Sequence, residues 1–377
     1  MSNGSSPDQI QVGVIGVSPS RGWATAAHLP ALSVLPDFRT VAVASTRAKG
    51  AEAVAAQFRV PHAFDNPFDL IACPEVDVVA ISVKVPDHAP LIRAAIDAGK
   101  HIYCEWPLGI DDTEARELTR LAEAKGIHHL VGLQAYVSSG ARFVEQLVQQ
   151  GLLGKVNAAS LVVLTPSIGG TEVAQALAYT ADRTTGTNLM TTSAGHALAA
   201  LSRTVGDVAD ISAVVETLHS EVRVVETGER IPNDAPNEVA AIGLLTTGAV
   251  VSLAVHGGTP VSAPRFSFRI IGTEGALLVR PTTLGDSINV GDWKVTLARP
   301  DGSAEELPVP AETNELPPSG PAKNVARMYD ELGSAMRAGR RAVPDFRMAL
   351  KFHEVVAAIR LSADIGRRIH VQAADHG

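Results

Sequence analysis

The sequence predicts an α/β protein, with an N-terminal, doubly wound parallel sheet (a Rossmann arrangement). A C-terminal α/β domain with an open-faced mixed, mostly antiparallel sheet follows it. Three observations carry this prediction. Apolar strand-like runs alternate with helical patterns over roughly the first 130 residues. The stretch 11–32, QVGVIGVSPSRGWATAAHLPAL, reads as strand, small-residue turn, helix. From Gln134 onward strand-like runs follow one another, punctuated by glycine and proline, with few helical patterns between them.

Residues 12–17 form an unbroken apolar run, the pattern of a strand buried on both faces. Gly16, Ser18 and Gly22 punctuate the turn, and Trp23, Ala26, Ala27 and Leu29 begin a helical pattern. That layout can cradle a dinucleotide pyrophosphate, because small residues let the backbone approach and a helix N-terminus supplies N–H groups and a positive dipole end. The spacing departs from G-x-G-x-x-G: Gly16 and Gly22 stand one residue too far apart, and Ser18 takes the middle glycine's place. An ordinary buried strand and turn is the competing reading.

Residues 40–44 are a second short strand, followed by Ser45-Thr46-Arg47 and an alanine-rich helix through Phe58. An acidic residue at this strand end would bind the ribose 2′-hydroxyl of NAD, whereas a small polar residue with arginine suits the 2′-phosphate of NADP. Ser45 and Arg47 tilt the choice toward NADP; a solvated arginine at a helix start is the alternative. Residues 76–82 form a third strand, and Pro86-Asp87-His88 open a helix closed by Gly99. A short strand at 102–104 stops at Glu105-Trp106-Pro107. Asp111 with Glu114 reads as a capping box for a helix over 113–125, and 129–132 is the next strand. Ligands of such sheets sit beyond the carboxyl ends of the strands. Ser18, Ser45, Val83, Pro86, His88, Glu105, Trp106 and Gln134 are therefore expected on one rim.

Beyond a helix over 142–150, the runs 158–164, 211–218, 222–226, 239–246, 249–255, 266–271 and 276–279 read as a sheet with one face available for packing. Residues 308–321 read as a surface loop, and helices at about 322–338 and 346–362 close the chain. The expected division is a nucleotide-binding domain at 1–133 and a substrate and oligomerisation domain at 134–377, with the last helices able to pack back on the first. One large α/β domain is the alternative for 377 residues.

Composition narrows the function classes. Apolar residues make up 46% and charged residues 19%, a globular profile rather than a disordered one. The net charge of −8 and the lack of a Lys/Arg cluster argue against nucleic acid as a partner. No apolar run reaches the roughly 18–20 residues a membrane helix needs. Residues 1–8, MSNGSSPD, read as a frayed leader and not a signal peptide, and Cys73 and Cys104 alone make no disulfide framework, so a cytoplasmic setting is expected.

Few residues stand out for chemistry. His196 follows a small-residue, apolar helical stretch, where a histidine is either an acid–base group or a satisfied core residue. Lys84 follows a buried strand; burial would make its ammonium easier to deprotonate for acid–base work, and solvation in the loop is the alternative. His128-His129, His88 and His353-Glu354 lack metal-ligand spacing, and neither a G-x-S-x-G elbow nor a P-loop is present.

Taken in order, the motifs His28-Leu29-Pro30-Ala31-Leu32, Val83…Pro86…His88, Cys104-Glu105-Trp106-Pro107-Leu108, Gly154-Lys155-Val156, His196 and Gly272-Thr273-Glu274-Gly275 resemble the glucose–fructose oxidoreductase / inositol dehydrogenase (Gfo/Idh/MocA) family across nearly the whole chain. The Gly22-Trp23-Ala24 turn, Glu105-Trp106-Pro107 and the stretch 191–196 look most like the branch containing the fungal galactose-regulon repressor and its bacterial relatives. The resemblance implies NAD(P) at the rim of a Rossmann sheet, a sugar, glycoside or polyol substrate between cofactor and second domain, and homodimers or homotetramers assembled through the open sheet. Two departures stand out. Trp106 replaces the lysine of the family's glutamate-lysine-proline motif, and Thr192 replaces the aspartate four residues before the histidine. The resemblance then implies His196 as the acid–base group, with Lys84 or Tyr179 as stand-ins and Trp106, Thr192 and Gln134 lining the substrate pocket. It also implies two other outcomes. One is a dinucleotide-binding regulator acting through a protein partner. The other is a sugar elimination on a tightly held cofactor with no net redox change.

Overall fold

The computed structural model describes residues 9–20, 22–311 and 320–371. The expected leader, Arg21 within the glycine turn and much of the expected 308–321 loop lie outside the described residues. The chain divides into two compact units. One comprises Met1–Gly109, Thr113–Gly132 and Thr313–Leu350, and the other Ile110–Asp112, Leu133–Glu312 and Lys351–Gly377.

The first unit is built on six parallel strands: β1 Ile10–Ile15, β2 Phe38–Ala44, β3 His62–Phe64, β4 Val78–Ile81, β5 His101–Glu105 and β6 His129–Gly132. They lie in the order β3-β2-β1-β4-β5-β6, so the winding reverses between β1 and β4. Val12, Val14, Val43 and all of β4 are buried, as continuous apolar runs require when helices cover both faces. The helices are α1 Leu29–Leu32, α2 Ala48–Phe58, α3 Pro67–Ala72, α4 His88–Asp97 and α5 Asp112–Lys125. A wider, i→i+5 turn over Ala24–His28 leads into α1. Asn66 caps α3 by accepting from the Phe68 N–H, with proline at the first helical position. A late helix, Pro321–Ala338, contributes buried Val325, Met328, Tyr329 and Leu332.

One buried histidine of this unit couples its stability to pH. The Phe346 N–H donates to His129 Nδ1 at 3.2 Å, and the two rings pack with centroids 4.6 Å apart. Burial holds the His129 pKa at about 4 against an ordinary 6.5, with Asp345 pulling the other way. The folded state therefore binds fewer protons than the unfolded chain between those values. Stability is complete above pH 6.5 and declines as pH falls toward 4, by roughly 3 kcal/mol from this group. Urea unfolding at neutral and acid pH is expected to show that decline, and His129→Gln should shrink it. An unchanged pH slope in the variant would overturn the assignment.

In the second unit, α6 Gln134–Val137, α7 Ser139–Gln149 and α8 Ala194–Thr204 accompany two sheets. The strands are β7 Val156–Thr165, β8 Glu172–Val173, β9 Val208–Glu216, β10 Glu221–Val224, β11 Arg230–Pro232, β12 Glu238–Leu245, β13 Val250–Gly257, β14 Phe266–Gly272, β15 Ala276–Pro281, β16 Trp293–Ala298, β17 Ala304–Leu307 and β18 Ile369–His370. Nine of these form one sheet, β17-β16-β15-β14-β7-β13-β12-β9-β18, antiparallel except where β7 meets β13. Burial alternates along β12 and β14, so one face is packed and the other open. On the open face Val214 is 62% and Ile242 56% exposed. β8, β10 and β11 form a small separate sheet over Val173, Ala181, Val222 and Val224.

Candidate functional site

Three loops follow β1, β2 and β4 at the place where the sheet order reverses. Open α/β sheets bind ligands there, outside the carboxyl ends of their strands. Gly16 takes φ +98°, and a Cβ on it would lie 2.1 Å from the Ser82 carbonyl oxygen, so only glycine lets these loops close-pack. At Gly22, φ +101°, a would-be Cβ lies 3.8 Å from the Gly16 carbonyl oxygen, with nothing nearer among the described residues beyond its chain neighbours. Trp23 stands at the helix start and makes no side-chain cap among the described residues. The turn is braced internally, since Thr25 Oγ1 accepts from the Ser18 N–H at 3.1 Å and donates to the Ser18 carbonyl at 2.8 Å. This cradle fits a dinucleotide pyrophosphate.

Other rim positions follow from the same topology. Ser45 is half-buried one residue past β2, and exposed Arg47 precedes α2 in extended conformation without capping it. Past β4 come half-buried Val83 and exposed Lys84 and Pro86. Exposure at Lys84 agrees with the solvated-loop reading of this lysine, not with a buried one. Glu105 ends β5, followed by buried Trp106 and a cis Trp106–Pro107 peptide. His88 is set back from the rim at 1% exposure, so it cannot touch a cofactor; this corrects its place among the binding residues.

A buried network that sequence reasoning missed anchors Glu105. His28 Nδ1 lies 2.8 Å from the Tyr329 hydroxyl, and Nε2 lies 2.9 Å from Glu105 Oε1. The rings of Tyr103 and Tyr329 flank His28, with centroids at 4.9 and 5.7 Å. Burial, reinforced by the Glu105 charge, pushes the Tyr329 phenol well above its ordinary pKa, so it keeps its proton. The two ring nitrogens thus link the Tyr329 hydroxyl to the carboxylate, which holds Glu105 at the end of β5. The one sequence signal was His28 within the His28-Leu29-Pro30 motif; Tyr329 gave none.

The second unit places Thr192 in an i→i+5 helical turn, Leu189–Ser193, and His196 four residues later on α8. Asn188 caps this segment, accepting from the Met190 and Thr191 N–H groups, while Thr191 Oγ1 accepts from the Asn188 N–H. His196 is 8% exposed, and Thr192 is half-buried with its hydroxyl making no hydrogen bond among the described residues. Gln134 is buried on α6, which packs against α8. Tyr179 lies half-buried in a 3₁₀ segment, Gln175–Ala181, where burial raises its phenol pKa. Thr192 and His196 thus share consecutive turns, whereas Gln134 and Tyr179 stand on other elements of this unit. Among the described residues no group of three or more His, Cys, Asp or Glu side chains could hold a metal ion. No described helix is long and apolar enough to cross a membrane.

A doubly wound parallel sheet with a glycine turn at its reversal point defines a fold of the Rossmann class. Residues 10–133 match the oxidoreductase family with an NAD-binding Rossmann fold, and residues 141–281 match the C-terminal domain of Gal80p. The chain thus resembles the Gfo/Idh/MocA oxidoreductase family in its first part and the Gal80p type in its second. It is 26% identical over 287 residues to the dehydrogenase aclE of Aspergillus oryzae, covering 73% of this chain and 78% of that one. It is 25% identical over 289 residues to the galactose/lactose metabolism regulatory protein GAL80 of Kluyveromyces lactis, covering 72% of this chain and 63% of the regulator, less than two thirds of its length. Its fold matches that of levoglucosan dehydrogenase in complex with NADH and levoglucosan, with a TM-score of 0.83, 20% identity and coverage of 97% and 100%.

Proposed function

We propose that the protein is an NAD(P)-dependent oxidoreductase of a sugar, glycoside or polyol, with His196 as its acid–base group. The observation that carries this reading is the pyrophosphate cradle at Gly16 and Gly22, at the reversal point of the sheet. When bound, NAD(P) supplies a hydride acceptor or donor. His196 takes the proton from the carbinol oxygen in oxidation and returns it in reduction, a contribution on the order of 10²–10⁴ in rate. Gly16, Ser18, Gly22 and Trp23 hold the pyrophosphate; Val83, Pro86, Glu105 and Trp106 line the nicotinamide side; Ser45 and Arg47 favour the 2′-phosphate of NADP. The dehydrogenase relative supports redox activity, and levoglucosan dehydrogenase, which shares the fold, supports a sugar-like substrate. The exposed sheet face carrying Val214 and Ile242 supports a homo-oligomer.

Trp106 and Thr192, where the family has lysine and aspartate, favour a second reading. In it the protein binds the dinucleotide and signals through a protein partner, as the Gal80p-type second domain supports. Reduced-nicotinamide absorbance over a panel of sugars and polyols, run with NAD and NADP, separates the two. The enzyme reading expects turnover with at least one substrate. Measurable cofactor affinity with silence across the panel would favour the regulator.

A further inference from the structure

His88 opens α4 and is almost completely enclosed, yet both of its ring nitrogens meet backbone carbonyls of different rim loops. Nδ1 lies 2.9 Å from the Pro107 oxygen, beyond β5, and Nε2 lies 3.2 Å from the Val83 oxygen, beyond β4. Cys104 Sγ sits 3.3 Å from Nδ1 and also donates to the Glu105 carbonyl, which adds the start of the β5 loop to the same cluster. β4 and β5 are neighbours in the sheet, with Ile81 opposite Cys104 at their carboxyl ends. The ring is therefore a crossbar between two adjacent rim loops.

We propose that His88 is a positioning residue that sets the gap between the loops after β4 and β5, and through it the fit of the nicotinamide half of a dinucleotide. The inference rests on the cofactor reading above. The two halves of a doubly wound sheet each receive one mononucleotide, and the glycine turn and the end of β2 take the adenosine side. The nicotinamide side thus falls to the loops after β4 and β5, the two that His88 joins. Burial lowers the His88 pKa, so near neutral pH the ring carries one N–H and serves one carbonyl at a time, exchanging between them by tautomer. A neutral glutamine amide has two N–H bonds and can serve both carbonyls, whereas leucine fills similar space and serves neither.

The test is fluorescence titration of the full chain with NADH, with ADP-ribose as a competitor lacking nicotinamide. His88→Leu is expected to weaken NADH by about tenfold, the equivalent of one positioned buried contact, with ADP-ribose affinity unchanged. His88→Gln is expected to bind NADH within about threefold of the parent, a rescue that a role in filling space alone does not predict. Should His88→Leu fail to fold, His88→Asn replaces it, its shorter amide reaching one carbonyl only and binding NADH more weakly than His88→Gln. Equal NADH affinity in parent and Leu variant (or in Asn and Gln), or matching losses for NADH and ADP-ribose, would overturn the role of His88 and leave the cofactor reading standing. A parent protein that binds none of NADH, NADPH and ADP-ribose overturns both.

Discussion

His196→Ala is expected to lower sugar or polyol turnover by about 10²–10⁴ while leaving NAD(H) affinity within about twofold of the parent. Of the side chains that sequence reasoning put forward for proton transfer, His196 alone combines a titratable ring with near-complete burial. Trp106 carries no group that ionises near neutral pH, and the Thr192 hydroxyl is too weak an acid to exchange its proton there. Tyr179 is pushed by burial toward holding its phenolic proton, which makes it a poor base. Lys84 is exposed. The residues proposed to hold the cofactor belong to the first unit and His196 to α8 of the second, so the substitution is expected to remove the proposed proton carrier and leave the glycine turn unchanged. Steady-state rates and NADH titration on one preparation check both halves. Turnover close to the parent's would remove His196 from the mechanism, and a parallel loss of NADH affinity would make its role structural.

The parallel half of the fold was legible because a strand buried on both faces writes itself as a continuous apolar run, as at Val78–Ile81. β3, only three residues long, left no period to read. β17, Ala304–Leu307, carries Glu305 and Glu306 on a sheet edge, where charge blunts further pairing and hides the strand. Rim residues could be placed in advance because topology alone puts strand ends together: Ser18, Ser45, Val83 and Glu105 needed only the order of the elements. The pairing of His28 with Tyr329 could not, since the two lie 301 residues apart and meet only because a late helix returns to the first unit. The sequence places His88 just past β4 but does not reveal that it is 1% exposed. Proline and helix signals located it, but its burial is a property of packing that no local pattern carries.

Gly16→Ala is expected to destabilise the first unit by roughly 2–5 kcal/mol and to abolish NADH binding at concentrations that saturate the parent. Two costs add. A side chain at φ +98° costs about 1–2 kcal/mol of backbone strain. Its Cβ, 2.1 Å from the Ser82 carbonyl oxygen, also meets backbone rather than the tip of a flexible side chain, so the loops after β1 and β4 must separate. Separating them opens the reversal point of the sheet, where the pyrophosphate is to be held. Gly22→Ala is the internal control. It carries the same kind of strain at φ +101°, but among the described residues beyond its chain neighbours its Cβ meets nothing closer than 3.8 Å, so stability should fall by only about 1–2 kcal/mol. In the proposed site its new methyl group takes up space meant for the pyrophosphate, so NADH affinity should drop out of proportion to stability. Denaturant midpoints and NADH titrations on the two variants give four numbers. If Gly16→Ala unfolds no more readily than Gly22→Ala, the close packing of Gly16 on Ser82 is not what holds the rim. If Gly22→Ala binds NADH like the parent, the phosphates do not sit in this turn.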